Sequence, residues 1–311
     1  MTPQDYYRLQ SPITDPGAYA FIMDALPDDI EELCRVVRGI YIHFRDEKVS
    51  PGRMWEVELR HVASILEQAL ALNDRSLIEE REPKHRVVGC CRDAALILCS
   101  MLRHKGIPAR LRMGFAPYYL ETTADGQVFS SDHVITEYWD GQQWRLVDTE
   151  KFDGLDFDIH HIPRDRFLVG GNVWQLCRRG AANPDNFGHG PGDSFTGWWA
   201  VREGLLRDLA ALNKVEVLLW DAWGWLDDFQ FEQGEEETIL LDRLAELTQG
   251  DDSAFDTIQT LYANDARLRA PPTLMCYSPF VEPYIINWHE PCRRPRHSQT
   301  ARARVSCCAR S

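Results

Sequence analysis

The stretch from Val87 to Arg110, VVGCCRDAALILCSMLRHKGIPAR, constrains this chain more than any other. Ala94, Ala95, Ile97, Leu98, Met101 and Leu102 recur at the spacing of a helix with one buried face. Gly106 supplies a C′ stop, and Pro108 blocks continuation. The helix is therefore predicted to begin just after Gly89, with Cys90 and Cys91 at its N-terminal end. A helix N-terminus carries roughly half a positive charge and unpaired backbone N–H groups. Both favour a thiolate, and the same N–H groups can hold an oxyanion. Position alone does not separate a nucleophile from a structural cysteine.

Strands are expected on the C-terminal side of that helix, at Ala109 to Phe115, Asp132 to Trp139 and Gln142 to Asp148. Asp140-Gly141 reads as a two-residue hairpin turn between the last two. With that turn, Trp139 faces Gln142 and His133 falls directly opposite Asp148. Directly opposed residues share a face, with Cβ atoms about 4.5–5.5 Å apart. An imidazole and a carboxylate at that separation form a base and its orienter. Glu137 and Trp144 are expected as a second cross-strand pair. A thiol at a helix start, followed by His and Asp on a hairpin, is the arrangement of a Cys-His-Asp triad: Cys91 or its neighbour, His133 and Asp148.

Charge and cysteine usage narrow the function classes. A net charge of −14 disfavours a general nucleic-acid or acidic-membrane surface. The exception is the end of the chain, where six Arg and no acid follow Pro291; a disordered basic tail is expected over 291–311. The nine cysteines are odd in number and contain no C-x-x-C pair, which disfavours a disulfide framework and a structural zinc site. No apolar run approaches the roughly 18 residues of a membrane span. The first residues lack a secretory pattern, so a cytoplasmic protein is expected.

Elsewhere the apolar spacing predicts a helix from Asp28 to about Phe44, a second from about Arg53 to Leu72, and a long helical pattern within 193–220. The expected organisation is an N-terminal helical part over 1–86, a core over 87–170, and a helical, Trp-rich extension over 171–290. His160-His161, with Asp153, Asp156 and Asp158 nearby, invites a metal reading. Adjacent histidines on a strand point oppositely, so no metal is expected there. The acids of 232–237 read as a solvated turn. Asp93 is read as an acid stabilising the first helical turn, and Arg92 as a surface or loop-bracing arginine rather than a substrate contact. Arg103 and Arg110 are read as ties between helix end and sheet, and Asp132 as a loop acid beside the base.

These motifs resemble the transglutaminase-like superfamily. Its core pattern runs glycine, one residue, cysteine, one residue, aspartate, then a helix ending in Arg-x-x-Gly-Ile-Pro-Ala-Arg, a histidine, and an aspartate after a Trp-bearing strand. Here the matching residues are Gly89, Cys91, Asp93, Arg103 to Arg110, Gly114-Phe115, His133, and Trp144 to Asp148. The resemblance implies Cys91 rather than Cys90 as nucleophile, with Cys90 facing away. Segments Pro163 to Leu168, Trp174 to Arg178 and Arg207 to Glu216 resemble a bacterial branch of the superfamily. It further implies an α+β papain-like, transglutaminase-like core, with the capped Cys helix packed on an antiparallel sheet and helices flanking it. His85 and Arg86 are candidates for an oxyanion-hole side chain by proximity alone. No calcium-site pattern is recognisable, and no cofactor is implied.

The expected function is cysteine-dependent acyl transfer or hydrolysis of an amide through a thioester. A peptide or amide-bearing molecule would be the substrate, and a primary amine a second substrate. The competing expectation is a catalytically silent fold that binds a peptide or protein.

Overall fold

The computed structural model describes residues 1–229, 234–249 and 252–291. The basic tail from 292 onward, with Cys292, Cys307 and Cys308, lies outside the described residues, as do Glu232 and the residue after it. In chain order the elements are α1 (Pro3–Arg8), α2 (Ile30–Ile40), β1 (Tyr41–His43), α3 (Val62–Leu72), β2 (Val87–Gly89) and α4 (Cys91–His104). Then come β3 (Ala109–Thr122), β4 (Val128–Trp139), β5 (Trp144–Val147), β6 (Leu168–Val169), α5 (Gly170–Arg178), β7 (Phe187–Gly188) and α6 (Trp198–Leu212). The remainder is β8 (Asp221–Ala222), α7 (Glu235–Gln249), α8 (Phe255–Asn264), β9 (Thr273–Cys276) and β10 (Tyr284–Asn287).

The expected α+β architecture is present. The main sheet runs β5-β4-β3-β6, antiparallel throughout, and β7 adds to β4 in parallel. Side chains alternate across β4, and each face finds its own cover. Val134, with Leu111 and Met113 of β3, joins the large core around α4, where the Thr136 hydroxyl also donates to the Ala95 carbonyl at 2.9 Å. Ile135 and Leu146 point the other way, into a smaller cluster with Tyr118, Ile162 and Phe167. The large cluster runs from Tyr7 to Trp288, so the N-terminal and C-terminal spans complete one core.

Three elements depart from the expectation, the first two for a tertiary reason. The helix of 28–44 stops at Ile40, because Tyr41–His43 pairs in parallel with Val87–Gly89. The helix of 53–72 is split: Pro51–Glu58 is a 3-10 turn and α3 starts only at Val62. Between them buried Arg60 reaches Asp221 through two hydrogen bonds of 2.9 and 2.8 Å. Of the pattern within 193–220, only Trp198–Leu212 is helical.

The β4–β5 hairpin is also corrected. Its pairs are Trp139↔Trp144, Glu137↔Leu146 and Thr136↔Val147, around a four-residue loop rather than a two-residue turn. The Asp140 carboxylate stabilises that loop by accepting the N–H groups of Gln142 and Gln143, both at 2.8 Å. Glu137 thus faces Leu146 rather than Trp144. The slip is two residues, and an even slip leaves every side chain on its expected face.

Where α5 begins, its backbone lies against that of α6. A Cβ at Gly170 would overlap the carbonyl of Gly204 and the nitrogen of Leu205. Gly170→Ala is therefore expected to cost about 1–3 kcal/mol by overpacking, read as a lower midpoint in urea unfolding. An unchanged midpoint would mean that the two helices have slack here.

Candidate active site

Cys91 is the first residue of α4 and Cys90 its N-cap. The Asp93 carboxylate accepts the Cys90 N–H at 2.8 Å and the Arg92 guanidinium at 2.8 Å. Asp93 therefore ties down the helix start as well as complementing its dipole. That carboxylate explains Gly89, since a Cβ there would sit 2.6 Å from an Asp93 oxygen. Arg92 is buried rather than on the surface, and braces loops by donating to the carbonyls of Glu216 and Arg60. Arg103, also buried, binds the Ala109 carbonyl at 2.9 Å and Glu216 at 2.8 Å, tying helix end to sheet.

His133 comes from β4, opposite Gly114 of β3. Its Nε2 lies 2.7 Å from Asp148 Oδ2, with both side chains buried. Asp148 follows the last residue of β5, and the two-residue slip of the hairpin register makes the pair diagonal rather than directly opposed, still within reach. The carboxylate is fully used: Oδ2 also accepts the Tyr118 hydroxyl at 2.8 Å, and Oδ1 accepts the Glu150 N–H at 2.9 Å. The ring's Nδ1 is 2.8 Å from the Tyr119 hydroxyl. Tyr118 and Tyr119 are consecutive, and on a regular strand they would point apart. The β3–β4 ladder breaks between Ala116 and Glu121, and this irregularity lets both hydroxyls reach the site. Pro117 within an apolar strand is the sequence signal that could have marked it.

The electrostatics separate the two thiols. The Cys90 side chain, and then the hydrogen bond and charge of His133, hold Cys91 well below the ordinary thiol range despite burial. Interaction with Cys91 and burial push the Cys90 thiol well up. Cys90 was expected to face away; it lines the same cavity as Cys91 and acts as its neutral partner. Burial works against a charged His133, but the charge and hydrogen bond of Asp148, with help from Cys91, raise it well above the usual imidazole value. Burial likewise opposes ionisation of Asp148, yet the His133 charge holds its carboxyl below the usual range. The pair Cys91–His133 is thus biased toward thiolate and imidazolium.

Cys91 and His133 open onto a cavity of about 400 Å³. Its far walls come from segments in which the sequence reading found no chemistry: Phe195 and Trp199, Trp220, Phe229 and Tyr277. Asp132 lines it too, from within β4 rather than from a loop. Burial, together with the Cys91 and Glu203 charges, pushes its carboxyl up to about 6. His189 stands 3.9 Å from Asp132 and 3.6 Å from Glu203. His43, the last residue of β1, also faces this cavity. Periodicity could not have found His43, His189 or Glu203, because distant chain segments bring them together, nor Tyr118 and Tyr119, because the strand breaks its alternation there.

The remaining candidates lie elsewhere. His85 and Arg86 do not line the cavity; Arg86 donates to the Arg81 carbonyl at 2.9 Å. His160 and His161 sit in a turn, not a strand, and both approach Asp158, at 3.3 and 2.8 Å. Among the described residues no group of three or more His, Cys, Asp or Glu side chains is placed to hold a metal ion. Among them, too, no helix is long and apolar enough to cross a membrane. The six described cysteines are free thiols.

Residues 76–149 match the transglutaminase-like superfamily, through its core domain. That span holds Cys91, His133 and Asp148, and the chain carries a transglutaminase-like domain there. No curated protein matches the chain. A solved structure from Cytophaga hutchinsonii, described as "a putative cysteine protease", is similar at 14% identity and a TM-score of 0.29. The likeness covers 52% of this chain and 44% of that one, so this chain spans less than half of its relative's length.

Proposed function

We propose that this chain, with its transglutaminase-like domain, is a cysteine enzyme that breaks an amide bond through a thioester on Cys91. The observation that carries the reading is geometric: Cys91 at the start of α4 and His133, whose Nε2 is held 2.7 Å from Asp148, open together onto a roughly 400 Å³ cavity. Nε2 is committed to Asp148, so Nδ1, which lies 2.8 Å from the Tyr119 hydroxyl, is the nitrogen that exchanges a proton with the thiol, directly or through that hydroxyl. The thiolate attacks the amide carbonyl, and the oxyanion meets the Cys91 backbone N–H at the helix start. His133 protonates the departing nitrogen as the C–N bond breaks, leaving an acyl thioester. An amine or a water then attacks that thioester, with His133 taking its proton. A peptide or other amide is the acyl donor in this scheme, and a primary amine is one acceptor.

The test is alkylation of Cys91 by iodoacetamide as a function of pH, read by peptide mass spectrometry, with His133→Ala alongside. A depressed thiol pKa means thiolate is present below the free-cysteine value of about 8.5. Cys91 is expected to react at pH 6–7 several-fold faster than free cysteine, and His133→Ala to remove that excess. A Cys91 that is inert, or titrates as an ordinary thiol in both proteins, would leave the fold as a binding module.

A further inference from the structure

We infer that the aromatic wall of the Cys91–His133 cavity is a pocket for an aromatic or comparably bulky neutral side chain on the acyl donor; this rests on the acyl-transfer reading above. The wall is assembled from distant segments. Phe195 precedes α6 and Trp199 lies in its first turn, Phe229 follows β8, and Tyr277 follows β9. All four line the same cavity as Cys91 and His133. Their rings meet in sequence: Phe195 lies 5.1 Å from Trp199, Trp199 stacks on Phe229 at 6.0 Å and 18°, and Phe229 meets Tyr277 edge-on at 5.2 Å.

The arc is anchored from behind. The Tyr277 hydroxyl donates to Asp227 at 2.6 Å and its N–H to the Trp220 carbonyl at 2.8 Å. Even so, Phe195 and Phe229 remain 42% and 45% exposed. Apolar side chains exposed singly are ordinary, whereas rings in continuous contact inside one cavity form the kind of apolar patch that marks a binding site. The stacked rings of Trp199 and Phe229 leave no slot between them, so a guest lies along the arc. The charged groups decide between a neutral and a cationic guest. Each carboxylate that lines the cavity already has a donor or a cation beside it. Glu203 accepts from Arg207 at 2.7 Å, and His189 stands between Glu203 and Asp132. Glu121 accepts the Ser131 hydroxyl, and Asp193 the Phe195 N–H at 2.8 Å. A cationic guest would have to take a carboxylate from its partner to complete a cage on the rings. A neutral ring needs none, and gains from leaving water and from face or edge contact with the arc.

The experiment labels Cys91 with the chloromethyl ketones of N-acetylphenylalanine, N-acetylglycine and N-acetyllysine, read by peptide mass spectrometry. In each, the thiolate displaces chloride from the methylene carbon: a C–S bond forms as the C–Cl bond breaks, and the side chain is presented as on an acyl donor. Dividing each rate constant by that of iodoacetamide at the same pH cancels any change in thiolate fraction. The phenylalanine reagent is expected to outpace the glycine reagent by about tenfold or more. Trp199→Ala should cut that preference about threefold or more, and Trp199→Phe, which keeps a ring, should restore most of it. If Trp199→Ala disturbs the fold, seen as lost iodoacetamide alkylation, Phe229→Ala decides alone, because nearly half of that side chain is exposed. Equal rates for the phenylalanine and glycine reagents overturn the assignment. So does a preference that survives both alanine variants unchanged. A lysine reagent faster than the phenylalanine reagent also overturns it, because the carboxylates rather than the rings would then choose the guest. If wild-type Cys91 does not react as a thiolate even with iodoacetamide, the acyl-transfer reading itself fails. That failure shows in the reference reagent, whereas failure of the pocket shows only in the ratios.

Discussion

Replacing Glu137 with alanine is expected to destabilise the protein by about 3–5 kcal/mol, the usual cost of removing one member of a buried ion network. Glu137 is fully buried in β4 and accepts from Arg110 at 2.6 Å, from Arg112 at 3.0 Å and from Arg164. Burial alone would raise its pKa, but these three guanidiniums hold it well below the carboxylate range. Arg112 carries the network onward, to Asp208 of α6 through bonds of 2.9 and 2.8 Å and to the Thr248 carbonyl of α7 at 2.8 Å. Removing Glu137 leaves Arg110 with its stacking on Trp144 at 4.0 Å but without its nearest carboxylate. The C-terminal helices would loosen from the sheet together with β4. Because the folded pKa is depressed, this contribution is present above the unfolded value of about 4.3 and is lost as pH falls toward the folded one. Urea unfolding should therefore show the full gap between wild type and Glu137→Ala at pH 7 and a smaller one below pH 4. A gap under about 1 kcal/mol at pH 7 would mean that the three arginines find solvent or other partners at little cost.

That network illustrates what a sequence conceals. Arg110 could be read as a tie between helix end and sheet because it lies close in sequence to the Cys91 helix. Its partner Glu137, and the Arg112–Asp208 pair beyond it, depend on strand register and on α6, which no local pattern fixes. The site divides in the same way. The Cys91 helix was legible from its apolar face and its Gly-Ile-Pro end, and His133 and Asp148 from a hairpin. The turn was misjudged, yet the face survived, because an error of two residues in a period-two structure changes no side chain's direction. An error of one would have separated base and carboxylate. The irregularity after Ala116 brings Tyr118 and Tyr119 into the site by breaking that same periodicity, so a rule built on alternation could not find them. His43 was assigned to a helix because Ile40, Tyr41 and Phe44 continue a helical spacing. Pairing with Val87–Gly89 outweighed that local pattern, a tertiary contact overriding propensity.

Asp148→Asn should lower Cys91-dependent acyl transfer by about 10²–10⁴-fold while leaving the fold in place, because it removes a charge at nearly constant shape. Asp148 acts on His133 in two ways, through the 2.7 Å hydrogen bond that fixes the ring and through the charge that stabilises the imidazolium. An asparagine keeps an oxygen for the Tyr118 hydroxyl or the Glu150 N–H, so much of the local bonding can persist. It cannot balance a buried positive charge. The sign follows directly: without the carboxylate the His133 pKa falls, the imidazolium beside Cys91 is less populated, and the thiol pKa rises. The acid limb of the acylation profile with 4-nitrophenyl acetate should therefore move to higher pH, as the plateau drops. Iodoacetamide alkylation at pH 6–7 should fall in parallel, because it depends on the same thiolate. Three groups outside the pair titrate near this range, Asp132 at about 6, Glu150 at about 7 and His189 at about 9, each in a buried or half-buried setting. Their presence predicts a profile with broad limbs rather than two clean ionisations, in wild type and variant alike. The comparison that isolates Asp148 is thus the displacement between the two profiles. If Asp148→Asn acylates within about threefold of wild type and with an unmoved acid limb, the carboxylate only fills space beside His133. The thiolate must then be held by Cys90 and the helix start without it.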